Sequence, residues 1–143
     1  MKYLPAGLAV LVALFLVFMG MQKFGAANPV FAYLAASSGI ELFEPVIRLI
    51  VGVSEIAAAA LILLGTFTGR LRGVGALLSA GVTGGALAFH LSPWLGINAP
   101  VAFAPGGGYE FSPMLFMMAV PFFALSLLLV WLDRDALRKL VGR

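Results

Sequence analysis

Cysteine is absent from the 143 residues. That excludes disulfides, thiolate metal sites, iron–sulfur clusters and dithiol redox chemistry. Histidine occurs once, so a two-histidine metal or haem site would need a second copy of the chain, and no metal site is expected. Charge is also scarce. Only 10% of the residues are charged, against about 25% in a soluble domain. The paired acids of carboxylate catalysis are missing from the apolar interior, where Glu55 stands alone. The apolar runs leave no room for a soluble catalytic domain, so residues 1–143 read as one domain.

What is present is hydrophobic, at 62% of residues. It is gathered into four runs long enough to cross a bilayer, which takes about 20 apolar residues. The fold class read from this is an all-α integral membrane protein. The spans fall at about 4–21, 45–64, 73–91 and 113–132. The first run follows Lys2, and Gly25-Ala26-Ala27 resembles a small-residue cleavage site. The run is longer than a signal-peptide core of about 7–15 residues, and it is read as a retained span.

Two long connections of similar length, and one short basic turn at Arg70 and Arg72, separate the spans. In the first, Asn28-Pro29 marks a helix start. Val30, Phe31, Tyr33 and Leu34 suit a short helix lying on the membrane surface. Glu41 and Glu44 precede Pro45, where negative charge favours a helix N-terminus. The second connection, Ser92–Ser112, holds Trp94, three prolines and Gly106-Gly107-Gly108-Tyr109-Glu110. It reads as irregular chain that dips onto the mouth of the bundle. Its glycine run has the composition of an anion nest, but Glu110 beside it argues against phosphate.

Span 3 carries two small-residue ridges, Ala80–Gly84–Ala88 and Gly81–Gly85. Such a surface is expected to pack closely on neighbouring helices, or on a second copy of the chain. Met114, Met117 and Met118 in span 4 read as packing residues, and Pro121 is expected to kink that span.

Nine basic residues give a net charge of +3. Seven of them, Lys2, Arg70, Arg72, Arg134, Arg138, Lys139 and Arg143, fall on one side if four spans alternate up-down-up-down. The positive-inside rule then places both termini in the cytoplasm, with the chain in the inner (cytoplasmic) membrane. The charge is explained by topology, with the lipid bilayer as partner and no nucleic acid.

That topology brings Lys23, Arg48 and His90 to the outer ends of spans 1, 2 and 3. Arg48, Gly52, Glu55 and Ala59 share one face of span 2. Glu55 lies about 15 Å below Pro45 at 1.5 Å per residue. An acidic residue at that depth costs roughly 2.5–3.5 kcal/mol on insertion scales. One reading is a polar pocket entered from outside, with Lys23 and Arg48 supplying positive charge, Glu55 an acceptor and His90 a titratable group. The other has Lys23 and Arg48 snorkelling to headgroups, Glu55 satisfied across the bundle, and His90 closing a helix end.

Phe18-Met-Gly-Met-Gln-Lys23-Phe at the end of span 1, Gly52-Val-Ser-Glu55-Ile in span 2 and Ala88-Phe-His90-Leu at the end of span 3 resemble the DoxX-like family of small four-span membrane proteins. The resemblance maps the family's recurring polar positions onto Lys23, Glu55 and His90, and leaves Arg48 unassigned. It implies an accessory subunit of a redox or oxidative-stress system that takes a quinone-like ligand, with electrons coming from a membrane or redox protein partner. The chain carries no redox centre of its own, so enzyme activity would belong at most to a quinone-linked complex. A non-enzymatic assembly or scaffold subunit, with Glu55 structural, is the competing reading.

Overall fold

Four helices in the computed structural model are long and apolar enough to cross a membrane. The structure describes residues 4–142; Lys2 and Arg143, counted above among the basic residues, lie outside them. The long helices are α1 (Leu4–Met21), α3 (Val46–Thr68), α4 (Arg72–His90) and α5 (Met114–Leu132). Helix α1 packs on α3, α3 on α4, and α4 on α5, with a lighter contact closing α5 against α1. Among the described residues are also two shorter α-helices, α2 (Pro29–Ser38) and the basic α6 (Arg134–Val141), and one 3-10 turn at Glu41–Phe43.

Large apolar side chains cover the outside of the bundle, among them Leu11, Leu14, Ile50, Val53, Leu77 and Leu128. A soluble protein rarely exposes so continuous an apolar surface. The inner seam is small and aliphatic: Ala9, Val12, Ala13 and Leu16 of α1 meet Ala58, Ala59 and Ile62 of α3, with Ala76 and Leu129. A side chain on Gly75 would place its Cβ 2.7 Å from the Ile62 backbone nitrogen. The α3–α4 contact therefore depends on its absence.

Helix α3 runs past the expected span end at residue 64 to Thr68 and is capped by Gly69, which takes the left-handed conformation with φ 70°. Gly65 has a different task. A Cβ there would lie 2.1 Å from the Arg72 backbone nitrogen, so the chain returning into α4 crosses directly over it. Helix α5 continues through Pro121.

The all-α expectation needs correction in the second long connection. Residues Ala99–Phe103 (β1) and Tyr109–Ser112 (β2) form a two-stranded antiparallel sheet, with a register irregularity at Val101 between Pro100 and Ala102. Alternating small, β-branched and aromatic residues suit a strand pair. Gly107 and Gly108, both at positive φ, make the turn between them. Ala104 N–H donates to the Gly108 carbonyl and Gly107 N–H to the Ala104 carbonyl, so the glycine run closes a hairpin.

Helix α2 begins as expected, with the Asn28 side chain accepting from Val30 N–H. Its apolar side does not lie free as a surface helix would. Phe31 and Leu34 are buried with Phe43, Leu95 and Ala99. The Ser37 hydroxyl donates to the Trp94 carbonyl at 2.8 Å, and Tyr33 meets Tyr109 and Phe111 edge-on. Helix α2 and the hairpin thus form one roof over one end of the bundle.

Candidate functional site

Beneath that roof the four long helices separate around a cavity of about 570 Å³. Its size falls within the range of small-molecule sites, about 300–1,000 Å³. The walls are mainly apolar: Phe15, Phe18 and Met19 from α1, Ile47 and Val51 from α3, Val82 and Phe89 from α4, and Leu115 and Met118 from α5. Leu95, Pro100 and Val101 close it from the second connection. Met114 also lines it, whereas Met117 is exposed on the outer surface.

Gly81 and Gly85 stand on the cavity wall, and a Cβ at either would meet nothing within 4 Å. Within one chain, therefore, the two small-residue ridges do not both pack tightly. Gly84 does so against Phe123 of α5. Gly81 and Gly85 leave space beside them in the cavity wall.

Three of the four polar residues singled out in the sequence line this cavity: Lys23, Glu55 and His90. Lys23 lies in the turn that follows α1, and its four-carbon stem runs back along the helix. The Lys23 ammonium donates to the Met19 carbonyl at 3.0 Å and to Glu55 Oε1 at 3.1 Å. It also stands 2.8 Å from Glu55 Oε2, but with no well-directed hydrogen bond to that atom. Both residues are only 6% exposed. This is how the cost of a buried glutamate is offset: the charges neutralise each other, and two acceptors hold the ammonium.

Glycines make the pair reachable. A Cβ on Gly52 would sit 2.9 Å from the Lys23 Cβ, and one on Gly20 would sit 2.9 Å from Ile56 Cδ1 and 3.2 Å from the Gly52 carbonyl oxygen. Helices α1 and α3 cross closely at these two positions, and the lysine stem lies over Gly52, one turn from Glu55.

Arg48 is placed differently. It is 3% exposed and does not line the cavity. Its Nε donates to Glu44 Oε1 at 2.7 Å, and its Nη1 donates to the carbonyls of Lys23 and Gly25, the latter at 2.8 Å. It fixes the backbone of the turn that carries Lys23, a positioning role in place of the expected pocket wall. The signal for its partner was the four-residue spacing of Glu44 and Arg48, although Glu44 itself lies in extended chain just before α3.

His90, 5% exposed, ends α4. Its Nδ1 lies 3.0 Å from the Gly96 carbonyl oxygen, and Phe116 meets its ring edge-on. The contact with Gly96 ties the histidine to the second connection. Elsewhere on the cavity lining, Ser54 donates to the Ile50 carbonyl and Thr83 to the Ser79 carbonyl, both within their own helices.

The fold and the site together define a multi-pass membrane protein, with a roofed cavity among its helices that holds one buried ion pair and one histidine. No family model, no curated protein and no solved structure matches the chain.

Proposed function

We propose that the protein binds a quinone-like or other small amphipathic molecule in this cavity, as an accessory subunit of a redox or oxidative-stress system in the inner (cytoplasmic) membrane. The observation that carries the reading is a cavity with apolar walls and a small set of converging polar groups, Lys23, Glu55 and His90. That is the usual composition of a small-molecule site. The DoxX-like resemblance selects the same three residues. The helices alternate up-down-up-down with both termini cytoplasmic, which puts the cavity and its roof at the outer leaflet. Electrons come from a membrane or redox protein partner.

Binding of a short-chain quinone and its quinol to detergent-purified protein, followed by native mass spectrometry, tests this. Wild type is expected to bind saturably, and folded Glu55→Gln to lose binding. Unchanged binding in a folded Glu55→Gln protein would remove the ligand-site reading. The Lys23–Glu55 pair itself favours a second reading, because it gives Glu55 a partner within the chain. Under it the protein is an assembly or scaffold subunit and Glu55 is structural. One stoichiometric protein partner retained by a Lys23→Met/Glu55→Leu variant, with no small molecule bound to wild type, would select that reading.

A further inference from the structure

At His90 the hydrogen-bond donor of the cavity lining is committed to the protein and the acceptor is not. A carbonyl oxygen has no proton to give, so His90 Nδ1 is the donor to Gly96. The neutral imidazole then carries a lone pair at Nε2, and that atom has no hydrogen-bond partner among the described residues. Lys23 gives two of its three hydrogens to Met19 and Glu55, the Gln22 and Asn28 amides each donate to one backbone carbonyl, and the hydroxyls of Ser54 and Thr83 give theirs to helix carbonyls. Unclaimed lone pairs remain on the two hydroxyls and on His90 Nε2, whereas Glu55 Oε2 is buried 2.8 Å from the Lys23 ammonium.

We propose that the cavity selects an amphiphile whose head donates a hydrogen bond, a phenol or alcohol on an apolar body, over the same molecule with a head that only accepts. This rests on the cavity being a ligand site, and it narrows the ligand: of a quinone couple, the hydroxyl-bearing reduced form is the one held. The physical basis is that a head without a donor would leave His90 Nε2 dehydrated and unpaired, whereas an O–H satisfies it. His90 Nε2 is the assigned acceptor.

The test uses the full chain in lipid nanodiscs and two probes, 4-octylphenol and its methyl ether 4-octylanisole, in which one methyl group on the head oxygen replaces the donor hydrogen. Empty nanodiscs correct for partitioning. Wild type is expected to bind the phenol about tenfold more tightly, the equivalent of one well-made hydrogen bond. In His90→Asn, the side-chain amide can still reach the Gly96 carbonyl but has no atom at the Nε2 position. Its preference is expected to fall to within about twofold of unity. Equal saturable binding of both probes to wild type would overturn the proposal and leave the cavity a ligand site. Absence of saturable binding of either probe would overturn both. A tenfold preference retained by folded His90→Asn would overturn the assignment to His90 Nε2. The wild-type comparison stands whether or not that variant folds.

Discussion

The two ends of this bundle use the same residue type for opposite purposes. Towards the α3–α4 turn, glycine brings backbones together: Gly65 lies under Arg72, and Gly75 against Ile62. Towards the roof, Gly81 and Gly85 of the same α4 face open space. The closed end is a dry seam of alanine and aliphatic side chains. The open end holds the ion pair, the histidine and the cavity. A small residue in a membrane helix therefore marks close packing only where a partner backbone reaches it. The same absence of a side chain, a turn and a half further on, makes a wall.

The comparison can be broken hardest at the ion pair. Lys23→Met leaves Glu55 without its partner, and removing one member of a buried pair is expected to cost about 3–5 kcal/mol. Lys23→Met/Glu55→Leu should recover most of that loss. Reversible unfolding of the purified protein in mixed micelles checks both; a single variant as stable as wild type would mean that Glu55 has another partner. At the closed end, Gly75→Val drives two methyl groups into Ile62 and should cost about 1–3 kcal/mol, the usual range for overpacking. At the open end, Gly85→Leu should change stability by no more than about 0.5 kcal/mol. It should nevertheless weaken 4-octylphenol binding at least tenfold by filling the cavity. Equal destabilisation by Gly75→Val and Gly85→Leu would erase the distinction between the two ends.

Much of the bundle was legible in the sequence because a bilayer demands long apolar helices and little else produces them. The shared face of Arg48, Gly52, Glu55 and Ala59 also follows from helical spacing, and all four are buried. The pairing of Lys23 with Glu55 was not legible. Counting residues from each span end put Lys23 at the surface and Glu55 deep. The contact depends on where α1 crosses α3, and that crossing is set by Gly20 and Gly52 meeting across 32 residues of separation between the charges. The position of Arg48 off the cavity was not legible because two of its three acceptors are backbone carbonyls, which no side-chain pattern announces. The hairpin was hidden by its brevity. Strands of five and four residues around a glycine turn look like irregular chain until helix α2 gives their aromatic residues something to pack on.

The clamp at Arg48 has an electrical consequence. With Glu44 and Glu55 ionised, two cations and two anions lie close together at one end of the bundle and sum to zero. A transmembrane voltage acts on charge at about 2.3 kcal/mol per elementary charge per 100 mV, so it finds nothing to pull on in this wall. Uncharged ligands should accordingly bind in vesicles with the same affinity whether or not a potassium diffusion potential is imposed. Folded Glu55→Gln, which leaves the Lys23 charge uncompensated, would give the field a handle that the native site lacks.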